Sequence, residues 1–204
     1  MRRPLDVAVA CAVVGALAYL AYGQPVDPAP TPVPASQRTL AAQVPRAPVV
    51  TGTRLWPVAV GVPRGAALVT MRIPRFGADW RWTAVQGVDA ASLATGPGHY
   101  PSTPLPGATG NTAFAGHRAG HGDPFIDFDL LRPGDRVYLS QGRTTWTYRL
   151  TTAPRIIEVT DVWVLDPLPG RQLTLTTCWP KYGSAKRMFV RGTLAGVAVA
   201  PVAG

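Results

Sequence analysis

The sequence predicts an all-β protein: a closed β-barrel of about eight strands with one or two short helices, preceded by an N-terminal transmembrane helix. Three observations carry that expectation. Glycine (21) and proline (22) are abundant while charged residues make up only 15% of the 204, a composition of strands, turns and linkers, not of a helix bundle. From residue 58 onward, short apolar or alternating runs are separated by turn residues, and no segment shows a sustained 3.6-residue apolar stripe. Ahead of them lies one unbroken apolar run, VAVACAVVGALAYLAY at residues 7–22.

That run follows Arg2 and Arg3, and with its flanks it approaches the ~20 residues that a bilayer-spanning helix needs. It reads as an anchor at 7–23 behind a cytoplasmic tail at 1–6. A cleaved signal is the alternative, but the A-x-A pattern of Ala16, Leu17 and Ala18 falls inside the apolar run, where cleavage would leave an apolar stub. With the arginines inside, everything from Gln24 on is expected to be extracytoplasmic at the plasma membrane. Residues 24–57 form a Pro-rich spacer with too few periodic apolar residues to build a core.

In the domain at 58–204, seven runs read as strands: 67–74, 135–140, 144–150, 155–159, 162–165, 172–178 and 187–192. Gln141, Gly142 and Arg143 join two of them as a tight hairpin, and prolines 133, 154, 167 and 180 fall between runs, where no ladder donor is required. The stretch DPFIDFDLLRPGD accommodates one short helix with Asp123 as cap and Pro124 as its first residue. A sandwich is the other architecture compatible with this strand count.

Eighteen Arg and two Lys against ten Asp and one Glu give a formal charge of +9, compatible with an Arg-rich solvated surface or with nucleic acid, anionic lipid or an anionic cell-wall polymer as partner. No stretch interleaves aromatic and basic residues as a base-stacking surface does, which argues against nucleic acid as a partner. The acidic trio Asp123, Asp127 and Asp129 has no glycine-centred twelve-residue loop around it, so capping and solvation account for it better than calcium.

The chemistry gathers around a cysteine. Cys11 sits in the apolar run, so Cys178, at the end of QLTLTTC, has no feasible disulfide partner. An unpaired thiol outside the cytoplasm is either a buried structural residue or a reactive one. Strand alternation sets Leu173 and Leu175 on one face and Thr174, Thr176 and Cys178 on the other. A thiol nucleophile needs an acid/base and a donor for the oxyanion; His117 ends an apolar run and Arg187 opens the next strand nine residues after Cys178. Of the other histidines, His99 is expected at the groove rim beside Tyr100, and His121 as a loop residue outside the constellation.

The string GPGHYPSTPLPGATGNTAFAGHR (96–118) resembles the region leading into the catalytic histidine of class E sortases, and TLTTCWPKYGSAKRMFV (174–190) resembles their nucleophile segment with arginine nine residues on. The resemblance spans most of residues 70–195. It implies a cysteine transpeptidase with Cys178 as nucleophile, His117 as acid/base, Arg187 as oxyanion and positioning residue, and Tyr100 and Thr177 as substrate-binding residues, with no metal and no cofactor. The implied partners are secreted proteins bearing LAXTG-like sorting signals and an amine of a peptidoglycan precursor. Trp179, His121 and Asp123 depart from the family pattern and bear on substrate preference. Cysteine hydrolases of the papain or NlpC type usually carry the cysteine before the histidine, and L,D-transpeptidases place a histidine just ahead of the cysteine; this chain does neither. A non-catalytic wall-binding module is the rival from a different class.

Overall fold

The computed structural model describes residues 61–201. The strands in chain order are β1 (Ala67–Arg72), β2 (Arg81–Gln86), β3 (Gly98–His99), β4 (Gly110–Ala115), β5 (Arg136–Gln141), β6 (Thr144–Leu150), β7 (Arg155–Ile157), β8 (Arg171–Trp179) and β9 (Lys186–Val199). They pair in the order β6-β5-β1-β2-β3-β4-β8-β9, and a further pairing of β9 with β6, from Thr144↔Val199 to Leu150↔Gly192, closes the ring. This is an eight-stranded closed barrel, so the sandwich alternative is excluded. The ninth strand, β7, lies outside the ring on the opening half of β9. Closure removes the open edges that a flat sheet would expose.

Most pairings are antiparallel, with hairpins where the sequence marks them. Gly142, at φ 56, turns β5 directly into β6 with Gln141 opposite Thr144, as the Gln-Gly-Arg tripeptide leads one to expect. Two pairings are parallel, β2–β3 and β4–β8. The second matters for the site. Because β4 and β8 run the same way, their C-terminal ends emerge at the same end of the barrel.

Alternation fills the interior. Met71, Leu139, Trp146, Tyr148, Leu173, Leu175 and Val190 interdigitate in one core with Phe76, Phe114, Phe125 and Phe128. Asn111, buried among them, is fully engaged. The Asn111 side-chain amide donates to the carbonyls of Val164 (2.9 Å) and Asp166 (3.1 Å), and its oxygen accepts from Thr174 Oγ1 (2.7 Å), tying β4 to β8 and to the segment before β8.

Three expectations are corrected. Residues 162–165 are not a strand: Val162–Leu165 is a 3-10 turn with Val162 and Trp163 exposed, so this apolar run has no sheet to pack into on both faces. The helix expected from Asp123 does not form. Asp123 has φ 54 rather than the extended backbone of an N-cap, and the segment makes only a 3-10 turn at Phe128–Leu130; among the described residues the α-helix is α1 (Ala90–Leu93), capped by Asp89, whose carboxylate accepts from the Ser92 N–H. His99 is not at a rim. Its ring is fully buried, edge-on to Phe114 at 5.1 Å. The tail, anchor and spacer expected at 1–57 fall outside the described residues, as does Cys11; among the described residues no helix is long and apolar enough to cross a membrane.

His99 has a measurable consequence. Its nitrogens lie 2.8 Å from Gln86 Oε1 and 3.0 Å from the Pro104 carbonyl, both acceptors that favour a charged ring. Burial outweighs them and pushes its pKa from 6.5 down to about 4. Between those pH values the unfolded chain binds a proton that the native state refuses, so stability falls as pH drops from 6.5 towards 4. The contribution is about 3 kcal/mol. Urea unfolding of the full-length protein across this window should show a loss of that order that His99→Gln lacks; parallel curves for the two proteins would contradict it.

Candidate active site

The site is set by register. β4 pairs β8 in parallel up to Ala115↔Thr176, and the ladder runs one step further, with the Gly116 N–H donating to the Thr176 carbonyl at 3.1 Å. One more step brings His117 level with Cys178. On the other edge of β8, Cys178 stands directly opposite Arg187 of β9, and directly opposed residues of an antiparallel pair project to the same face. The three residues expected to be catalytic therefore stand at one end of the barrel. His117, Cys178 and Arg187 are each half-buried, and His117 and Cys178 line a groove of about 490 Å³ whose far wall is the β8–β9 loop with Lys181, Tyr182 and Ser184. Cys178 is a free thiol open to that groove rather than enclosed by the core.

Arg187 Nη1 donates to the carbonyls of Ser184 and Lys186, both at 3.0 Å, so the guanidinium is tethered to the loop at the groove mouth. Tyr100 belongs to the same face. Its hydroxyl lies 3.0 Å from Thr176 Oγ1, two residues before the thiol, and burial raises its pKa while the charges at Arg187 and Cys178 are both felt there. Thr177 does not join them. It is 3% exposed, points to the opposite face, and donates from Oγ1 to the Gly116 carbonyl at 2.8 Å. Its hydroxyl thus fastens β8 to the residue preceding His117 and has no access to the groove.

The segment after His117 is anchored from below. The Phe125 N–H returns to the His117 carbonyl at 3.0 Å, and its ring lies in the core against Trp80 and Phe128. Gly116 sits on that ring so closely that a Cβ would come within 2.6 Å of it, which explains the glycine directly before the histidine. Arg118 is buried at 4% exposure, its Nη2 donating to Asp129 Oδ1 at 2.6 Å and its Nη1 to the Met188 sulfur at 2.9 Å. Lys181 and Asp127 approach to 4.0 Å across the loops flanking the groove. The acidic trio is therefore engaged locally, Asp123 accepting from the Gly120 N–H. No group of three or more His, Cys, Asp or Glu among the described residues is placed to hold a metal ion.

A parallel β4–β8 pair delivering histidine and cysteine to one groove, with arginine opposite the cysteine, agrees with the sequence comparison, in which residues 71–195 match the sortase domain. The chain belongs to the sortase family, whose members are cysteine transpeptidases. Its likeness to solved sortases places it in class E. The structure of sortase E from Streptomyces avermitilis superposes with a TM-score of 0.63 at 40% identity, covering 67% of this chain and 93% of that one. Sortase E1 from Streptomyces coelicolor, crystallised with a tripeptide in its active site, gives 0.61 at 29% identity over 66% and 91%. Sortase E1 of Streptomyces coelicolor is 36% identical over 110 residues, 48% of this chain and 31% of that protein, and sortase E2 of the same organism is matched over 37% of its length, so this sortase spans about a third of the length of those two relatives.

Within this sortase, sequence reasoning missed the contacts that hold the three residues. The Tyr100–Thr176 bond and the approach of Lys181 to Asp127 join segments distant in sequence, and the Arg118–Asp129 pair closes the loop after His117 on itself. His121, expected to stand apart, packs its ring against that of His117 with centroids 4.7 Å apart and planes inclined by 31°.

Proposed function

We propose that this protein is a membrane-anchored transpeptidase that cleaves the Thr-Gly bond of LAXTG-like C-terminal sorting signals and joins the released protein to an amine of a peptidoglycan precursor. The observation that carries this reading is the level placement of His117 and Cys178 on one groove with Arg187 opposite the thiol. In the first half-reaction the Cys178 thiolate adds to the threonine carbonyl, Arg187 donates to the oxyanion, and His117 protonates the departing glycine amine as the C–N bond breaks. A thioester to Cys178 results. An acceptor amine then attacks it, His117 takes the proton, and the thiolate leaves as the new amide forms.

The arrangement supports these roles in physical terms. Burial and the charge of His121 both lower the proton affinity of His117, which makes its protonated form a better acid towards the leaving amine. The tether of Arg187 to the Ser184 and Lys186 carbonyls engages one nitrogen and supports reorientation of the guanidinium when an oxyanion forms. Tyr100, held by Thr176 on the thiol's own face, is placed to contact the residue after the leucine of the signal, and the sorting preference for alanine there is assigned to it. The anchor at 7–23, spacer at 24–57 and plasma-membrane location with the barrel outside belong to the same proposal, supported by Arg2 and Arg3 ahead of the apolar run.

Full-length protein in detergent should cleave or transfer a labelled LAXTG peptide faster than an LPXTG one. Cys178→Ala should abolish the reaction, and His117→Ala and Arg187→Ala should each cost about a hundredfold or more. Activity surviving in Cys178→Ala would refute the mechanism; a protein inert to every peptide and amine but retained on purified wall in a salt-sensitive way would point to a binding module.

Topology is tested separately. Fractionation of cells should leave the full-length protein in the membrane with the barrel open to protease added outside protoplasts. A soluble, N-terminally trimmed protein as the main species would show the segment to be a cleaved signal.

A further inference from the structure

The loop after His117 has an unusual backbone. Gly120, His121, Gly122 and Asp123 have φ of 89, 54, 80 and 54 in succession, so four consecutive residues occupy left-handed space and two of them carry side chains. For a non-glycine residue that conformation is unfavourable, and it persists only where surrounding contacts hold it. Here the Asp123 carboxylate accepts from the Gly120 N–H, the Asp123 N–H donates to the Gly120 carbonyl at 3.2 Å, and two residues later Phe125 fastens the loop to the His117 carbonyl and to the core. The product of this construction is the placement of one ring. His121, itself exposed, is turned back so that its imidazole lies over the half-buried imidazole of His117.

We propose that His121 is a positioning residue for His117, its ring forming the outer wall that holds the acid/base imidazole towards the groove that ends at Cys178. The inference rests on the transpeptidase reading for its catalytic consequence, while the ring pairing can be measured without it. His117 touches the reacting groups; His121 acts through His117. A flat ring at this distance restricts the side-chain rotation of its neighbour, and when His121 carries a proton it also repels a second positive charge on His117.

The other ionisable groups lining the groove with His117 are Arg118, Cys178, Lys181 and Tyr182, with Asp123 on the same loop as His121 and Asp127 4.0 Å from Lys181. Two causes hold the His117 pKa below 6.5, burial first and the charge of His121 second. The sign follows directly. Removing the charge but keeping a flat ring raises the His117 pKa towards its ordinary value, and the limb of the pH–rate profile that reports His117 moves to higher pH.

Full-length protein labelled at histidine suits the test, because the chain has only three histidines and His99 is held neutral down to about pH 4. His121→Ala should lower kcat/KM by about tenfold or more through kcat, since a misplaced catalytic group costs rate more than binding. His121→Phe should restore most of that loss. NMR titration of His121→Phe should show His117 protonating at higher pH than in the native protein. Both variants reacting and titrating as the native protein does would overturn the proposal, as would a His117 titration unmoved in His121→Phe. A native protein inert to sorting peptides whose His117 titration still shifts in His121→Phe would sustain the pairing while discarding the transpeptidase reading.

Discussion

Everything around the groove depends on the register of β8 with its two neighbours. One edge of β8 is bonded in parallel to β4, which brings the end of β4 and hence His117 level with Cys178; the other edge is bonded antiparallel to β9, which sets Arg187 opposite the same thiol. A slip by one residue on either edge would turn Cys178 into the core and Thr177 out to solvent, because side chains alternate with a period of two. Three separate elements of chemistry are thus positioned by one ladder of backbone bonds.

The register is protected twice. The ring is closed by β6 and β9, so no strand of the barrel can shift without its neighbours. Along β8 itself, every residue from 173 to 177 is committed: Leu173 and Leu175 fill the core and Thr177 bonds the Gly116 carbonyl, while Thr174 bonds Asn111 and Thr176 pairs with Tyr100. Leaving any of these buried polar groups unpaired would cost roughly 1–3 kcal/mol. The same residues that stabilise the strand therefore fix the thiol at its end. Beyond the strands, Phe125 and the Arg118–Asp129 pair do for the loop after His117 what the ladder does for β8.

Much of this was legible in the sequence, for reasons particular to each element. β1, β5, β6, β8 and β9 announce themselves by alternation and by β-branched or aromatic residues, and β9 extends to Val199 because it pairs with β6 as well as β8. β4, by contrast, reads GNTAFA; it is buried on both faces, so it shows no alternation, and its glycine, asparagine and alanines carry little strand signal. β2 and the two-residue β3 escaped for the same want of pattern. Residues 162–165 misled in the opposite direction, an apolar run that turns outward on the surface. At the site, Cys178, His117 and Arg187 were visible through residue type and spacing. The ring of His121, the buried charge of Arg118 and the inward hydroxyl of Thr177 were not, since each depends on where a loop returns or on which face a strand end presents.

The central claim, that register makes Cys178 the nucleophile, is tested most directly by mass spectrometry of the full-length protein mixed briefly with a sorting peptide in the absence of acceptor amine. The account predicts an adduct on Cys178 with the mass of the peptide up to its threonine, the glycine-containing fragment having left, and release of that adduct on adding hydroxylamine. Cleavage of the peptide with no adduct on Cys178, or with an adduct on another residue, would contradict it.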